Sequence, residues 1–291
     1  MKTPSQKIIV IYHGDCPDGF GGAYAAWKKF GARAAYLPAF NRDALPCPLK
    51  GKEVYLIDYT YHDEALMRRL VRDNVRVTAI DHHITAEPFV RMTQDASFSL
   101  DHSGAVLAWR YFHPKKKIPA LLRYIEDRDL WRWKVPGARA VLARFDLEPM
   151  ELPSWDRAAK ALERAGVRKE YRAQGALLLR HAEALTDALL TGADMVRFAG
   201  REVYAVNAPR RFASEMGNTL ARRTRSFAII WREASGIVNV SLRSDGSVDV
   251  ASIARCFGGG GHKAAAGFSF PVGKGNAIVF PWKIVKHPDS R

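Results

Sequence analysis

Carboxylates and imidazoles recur in this chain at places where a short apolar run stops abruptly. Residues 77–80 run into Asp81, His82 and His83; residues 8–11 run through Tyr12 into His13, Asp15 and Asp18; residues 54–57 run into Asp58. Short β-branched runs bounded by polar residues predict buried parallel strands, and open α/β sheets bind ligands beyond the carboxyl ends of such strands. Three such ends in one sheet would pool His13, Asp15, Asp18, Asp58, His82 and His83. Singly, an Asp after a strand is a turn or cap residue and a His-His pair is a polar loop. Together, several carboxylates packed at one edge repel one another unless a cation neutralises them. The residue types therefore imply a divalent metal centre.

The elements that must position these groups follow from pattern. A glycine- and alanine-rich stretch, 19–27, opens a helix after the first strand; 34–37 reads as a second strand and 38–48 as a loop carrying Arg42 and Asp43. Helical spacing covers 63–72, Ser103 caps a helix over 103–109, and 119–133 holds a helix ending in charges alternating with aromatics. Lys115, Lys116 and Lys117 form a basic, solvated turn. Strand, helix and strand in succession mean parallel crossovers, so residues 1–150 are expected to form an α/β, parallel-sheet domain that carries the metal centre.

Residues 151–192 are rich in Ala, Leu, Arg and Glu and read as a helical connector stopped near Gly192. A smaller α+β domain over 193–291 has β-like runs at 195–199, 202–206, 227–231 and 237–243, a helix at 214–223 and another at 250–257. It ends in four glycines at 258–261, followed by His262, Lys263 and a strand at 268–270. A glycine run is either a flexible tip or a place where backbone can approach a phosphate closely, with His262 and Lys263 supplying charge.

A length of 291 residues is about twice that of a typical domain, in keeping with two cores. Hydrophobic content of 47% with 7 Trp specifies a folded protein. Lys and Arg number 45 against 30 Asp and Glu, a net +15 that favours polyanions such as nucleic acid, although the charges are spread along the chain as on any basic surface. No apolar stretch approaches a membrane span and the first residues are not an apolar signal segment, so a cytoplasmic protein is expected. Three cysteines without a Cys-x-x-Cys pair speak against a disulfide framework or a structural zinc.

The Asp81-His82-His83 triplet, the His13/Asp15/Asp18 cluster, the lone Asp58 and the later Gly258-Gly259-Gly260-Gly261-His262, in that order, resemble the DHH phosphoesterase superfamily with its DHH-associated C-terminal domain. That superfamily includes RecJ-type exonucleases, nano-RNases, cyclic-dinucleotide phosphodiesterases and inorganic pyrophosphatases. The resemblance implies a last metal-ligating Asp at Asp127, with Asp129 as the alternative. It also implies that Gly259, Gly260, Gly261 and His262, with Lys263, hold substrate against the metal site. The family spaces its first ligands Asp-x-Asp, whereas Cys16 and Pro17 separate Asp15 from Asp18 here.

On this reading His13 and Asp15 hold one metal ion, Asp18, His82 and Asp127 a second, and Asp58 bridges them because a carboxylate has two oxygens to share. Asp81 orients the histidines from behind, and His83 donates to the phosphate or relays a proton. Oxygen-rich ligands suit two Mn²⁺ ions, or Mg²⁺. Arg243 would fork onto a substrate phosphate. The expected function is a metal-dependent phosphodiesterase of short single-stranded oligonucleotides or dinucleotides, of nano-RNase or exonuclease type, because 291 residues leave no room for the additional oligonucleotide-binding domain expected of a processive RecJ. A soluble cyclic-dinucleotide phosphodiesterase and a non-catalytic nucleic-acid-binding protein are the alternatives. No membrane partner is expected; RNA against DNA, and monomer against homodimer, stay open.

Overall fold

The computed structural model describes residues 3–40 and 44–287, so Arg42 and Asp43 of the expected loop lie outside the described residues. The chain forms two compact units, Met1–Leu179 and Arg180–Arg291. In the first, β1 (Ile8–His13), α1 (Pro17–Phe30), β2 (Ala34–Ala39), β3 (Glu53–Ile57), α2 (Glu64–Asp73), β4 (Arg76–Asp81), α3 (Glu87–Val90) and β5 (Asp95–Phe98) alternate strand with helix or loop. Helices α4 (Gly104–Phe112), α5 (Ala120–Asp129), α6 (Ala138–Phe145) and α7 (Leu152–Leu162) follow, and α8 (Ala165–Leu190) crosses the division. The five strands lie in the order β2-β1-β3-β4-β5, every neighbouring pair parallel.

This sheet is buried on both faces because its strands are apolar on both. Val10, Tyr12, Ile57 and Ile80 pack with α1, α4 and α5 on one side, and Ile9, Ile11, Leu56 and Ala79 pack with α2 on the other. Trp155, Ala158, Ala159 and Leu162 of α7 belong to the first of these cores. A Cβ on Gly22 would overlap Ile57, so that glycine sets how closely α1 lies on β3. Strand order reverses between β1 and β3, which places the crevice of a doubly wound sheet at their carboxyl ends. Strand β5, with Asp95 and Ser97 in four residues, is an edge strand without the apolar run that marks the other four.

The second unit comprises β6 (Asp194–Phe198), β7 (Arg201–Asn207), α9 (Ala213–Thr224), β8 (Phe227–Ala234), β9 (Ile237–Ser244), α10 (Val250–Arg255), β10 (Gly260–His262), β11 (Ala265–Pro271) and β12 (Lys283–Lys286). They build a mixed sheet in the order β10-β11-β9-β8-β7-β6-β12. Strands β7 and β8 run parallel with α9 as their crossover, and α9 covers one face while α10 lies on the other. Among the described residues no helix is long and apolar enough to cross a membrane.

Candidate metal centre

Because β1, β3 and β4 are neighbours in register, the residues that follow them emerge side by side. His13 ends β1, Asp58 follows β3, and Asp81, His82 and His83 end and follow β4. Asp58 is fixed by its own backbone, whose N–H donates to the Ile80 carbonyl at 2.8 Å, and it adopts a left-handed φ of 55° that turns the chain out of the sheet. Non-glycine residues take that conformation at a cost, most cheaply Asp and Asn, and such positions concentrate at functional sites.

The two oxygens of Asp58 face different donors. Oδ2 lies 3.3 Å from His13 Nδ1 and 3.7 Å from Cys16 Sγ. Oδ1 lies 3.2 Å from His82 Nε2 and 3.7 Å from His83 Nδ1. His82 Nε2 is also 3.8 Å from Asp18 Oδ2 and 3.5 Å from Asp129 Oδ2. Potential ligand atoms therefore gather in three groups among the described residues: His13, Cys16 and Asp58; Asp58, His82 and His83; and Asp18, His82 and Asp129. Asp58 Oδ1 and His82 Nε2 face each other without hydrogen-bond geometry, and both are buried without a hydrogen-bond partner. Burying such atoms is costly unless something else satisfies them.

Asp18 projects from the first turn of α1 and is buried. Its oxygens accept the N–H groups of Gly104 at 2.6 Å and Ala105 at 3.1 Å, so it is clamped by the N-terminus of α4. A Cβ on Gly104 would press on Asp58 and Asp18, which is why that helix can start there only with glycine. Asp81 is fully buried and acts on the histidines from behind. Its Oδ1 accepts the His82 N–H at 2.7 Å, the His83 N–H at 2.9 Å and faces His83 Nδ1 at 2.7 Å.

Electrostatics reflect the crowding. Burial and the neighbouring Asp129 and Asp58 push the Asp18 carboxyl well above the usual carboxylate range. Burial, reinforced by the charge of Asp58, pushes Asp129 up as well. Asp58 is subject to the same burial penalty, yet the hydrogen bond to His13 and the nearby His82 and His83 hold it below its ordinary value. Burial opposes charging His82, but Asp58, Asp18 and Asp129 outweigh it and raise the imidazole to about 9. Burial and the Asp58 and Asp18 carboxylates push the Cys16 thiol up. A cluster that holds on to protons in this way is short of positive charge.

Two of the expected ligands are placed elsewhere. Asp15 is exposed, has φ 52° and belongs to none of the groups that bring ligand atoms together among the described residues; Cys16, at the N-cap of α1, takes its place beside His13 and Asp58. Asp127 is buried and turned away. Its Oδ1 accepts the Lys134 N–H at 2.8 Å and its Oδ2 the Val135 N–H at 2.9 Å, while Asp129 is the α5 carboxylate that reaches His82. Cys16 went unnoticed in the sequence because a thiol pushed up by burial leaves no spacing signature. Asp127→Ala is expected to lower unfolding stability by ~3 kcal/mol in urea titrations, since two N–H groups lose their acceptor, with metal stoichiometry unchanged; loss of one bound ion instead would return Asp127 to the ligand set.

In the second unit, the four-glycine stretch continues into an antiparallel hairpin. His262 pairs with Ala265, which pairs with Arg243 of β9, so His262 and Arg243 occupy one cross-strand row roughly 10 Å apart. The Arg243 guanidinium donates to Ser214 Oγ at 3.2 and 3.4 Å and to its neighbour's carbonyl, Leu242 O, at 2.9 Å; burial and Arg210 lower its pKa. Lys263 is exposed in the hairpin turn, and a cavity of about 360 Å³ is lined by Arg210, Asn239, Ser241, Gly258, Gly259 and Ser269 among others.

Residues 203–279, which hold this hairpin and cavity, match the DHHA1 domain family. In the first unit, the Asp81-His82-His83 triplet lies at the carboxyl end of β4, inside the parallel sheet. An uncharacterized protein, R106, of Acanthamoeba polyphaga mimivirus is 29% identical over 296 residues, covering 93% of this chain and 69% of that protein. An exopolyphosphatase-related protein from Bacteroides fragilis has the same fold, with a TM-score of 0.50 at 14% identity over 91% of this chain and 87% of that one. The structure of RecJ from Thermus thermophilus in complex with Mn²⁺ aligns with 90% of this chain and 49% of its own at 17% identity, with a TM-score of 0.48.

Proposed function

We propose that this protein is a DHH-type, metal-dependent phosphodiesterase of short single-stranded oligonucleotides or dinucleotides, with Mn²⁺ as the preferred ion. The observation that carries the reading is Asp58, a buried carboxylate with His13 and Cys16 at one oxygen and His82 at the other, left with an orphaned Oδ1. The donor set fits divalent ions. Three carboxylates and two imidazoles suit Mn²⁺ or Mg²⁺, with Cys16 as one softer donor beside them, and the proton-retaining Asp18, Asp129 and His82 mark where positive charge belongs. Bound there, two such ions would neutralise the scissile phosphate and lower the pKa of a water.

The chain's own residues do the rest. Asp58 would serve both ions, His13 and Cys16 one of them, and Asp18, His82 and Asp129 the other. Asp81 fixes the orientation of His82 and His83 through three contacts with one oxygen, and His83 would donate to a phosphate or hand a proton to the leaving oxygen. In the second unit, Gly259, Gly260 and Gly261 allow close backbone approach, and His262, Lys263 and Arg243 supply the charge to hold substrate. The net charge of +15 favours a polyanionic ligand.

The deciding experiment is a panel from dinucleotides to decamers, as RNA, DNA and cyclic dinucleotides, incubated with Mn²⁺ and assayed for hydrolysis. Cleavage of short linear substrates supports the reading, preference for the cyclic ones moves it to a cyclic-dinucleotide phosphodiesterase, and binding without cleavage across the panel refutes an enzyme. The thiol has its own test. Cys16→Ser is expected to weaken one of two bound ions about tenfold, more for Cd²⁺ than for Mn²⁺; identical calorimetric isotherms for both ions would put the thiol outside the donor set.

A further inference from the structure

Just beyond the last cluster carboxylate the chain does something energetically unfavourable. After Asp129 closes α5, Leu130 leads into Trp131 and, two residues later, Trp133, both with left-handed backbones at φ 53° and 52°. Glycine would occupy these positions without strain, and a bulky aromatic there is a genuine outlier. The Trp131 N–H donates to the Arg128 carbonyl at 3.0 Å and the Arg132 guanidinium to the Asp101 carbonyl at 2.7 Å, and Asp127 ties down the four residues that follow Trp131. Asp127 receives the Arg132 N–H at 2.9 Å and the Trp133 N–H at 3.3 Å on its carbonyl, and the Lys134 and Val135 N–H groups on its carboxylate. A buried carboxylate is thus committed to fixing a surface turn that presents tryptophan.

The rings are ordered in series. The Arg139 guanidinium lies 4.7 Å over the Trp133 ring, and Trp133 meets Trp131 edge-on with centroids 5.2 Å apart. Trp131 is held through its neighbour yet remains 50% exposed. Its Cα is at most about 7.6 Å from that of Asp129, two trans-peptide steps away. A large flat ring, preorganised, open and within one nucleotide's reach of the carboxylate cluster, has no packing role that its exposure would serve.

We propose that Trp131 is the stacking platform for the nucleobase adjoining the scissile phosphate, and that Asp127 is the positioning residue that holds it there. The inference rests on the phosphodiesterase reading above and adds to it what the enzyme recognises: a base, through its π-face, with little regard to which base. Sequence tolerance with a requirement for some base is the expected specificity.

The test compares wild type with Trp131→Gly, which suits the left-handed backbone and so preserves the turn, and with Trp131→Tyr, which keeps a ring. Substrates are a dinucleotide and the same phosphodiester with an abasic sugar on either side in turn. Trp131→Gly should raise KM for the dinucleotide about tenfold with kcat within about twofold, Trp131→Tyr should restore most of it, and one abasic analogue should be handled equally by all three. Equal KM in wild type and Trp131→Gly, or an equal loss on every substrate, overturns the proposal. A second readout is independent of hydrolysis: a phosphorothioate dinucleotide should quench tryptophan fluorescence in wild type and much less in Trp131→Gly. If wild type cleaves nothing, the phosphodiesterase reading fails by itself, and the quenching comparison still decides the platform: equal quenching rejects it, lost quenching supports it.

Discussion

Asp58→Asn should lower turnover on the order of 10³-fold, about 4 kcal/mol of transition-state stabilisation, while the protein stays folded. Asparagine is nearly isosteric and tolerates the left-handed backbone at this position, so strain does not confound the result. What it loses is the second anionic oxygen. Asp58 lies between His13 and Cys16 at Oδ2 and His82 at Oδ1, and an amide nitrogen in either place cannot accept a cation. Two cations held close together without a shared anion repel, so metal stoichiometry should fall alongside activity. Near-wild-type turnover with two ions bound would remove Asp58 from the bridging position.

The second large effect is on the metal-free protein. Added Mn²⁺ at about a hundred times its Kd should stabilise the fold by ~2.7 kcal/mol, roughly 5–10 °C in Tm for a unit of this size. The gain should grow as pH rises from 6.5 toward 9. His82 is raised from 6.5 to about 9, so its contribution to metal-free stability is fully present below the unfolded value and is lost as pH rises through about 9. Asp18, pushed up by burial and by Asp129 and Asp58, and Asp129, pushed up by burial and by Asp58, act in the same direction, because the unfolded chain gives up their protons more readily than the folded one. The bound ion replaces those protons, and its apparent affinity therefore rises with pH. Differential scanning fluorimetry with and without Mn²⁺ across this range reads both quantities. A Tm indifferent to Mn²⁺ and Mg²⁺ at every pH would mean that the cluster is not a metal site.

The strand ends were legible in the sequence because the signal is local: an apolar run that gives way to Asp or His marks both the strand and its carboxyl end, and in a parallel sheet those ends share one edge. His13, Asp18, Asp58 and His82 meet for that reason. The sequence could not decide between Asp127 and Asp129. Two residues along a helix rotate about 200°, so these carboxylates point in nearly opposite directions, and which one faces the cluster depends on the face α5 packs against the sheet. Tertiary packing gave Asp129 to His82 and left Asp127 to cap the turn behind it. Asp15 and Cys16 pose the same problem one step earlier. The left-handed backbone at Asp15 sends its carboxylate to solvent and brings the Cys16 thiol to Asp58, a choice made by the turn between β1 and α1 rather than by residue type. Strand β5 was silent because an edge strand needs no continuous apolar run. Residue identity determined which chemistry the sheet edge could support, and the rotation of one helix and the hand of one turn decided which side chains are there to perform it.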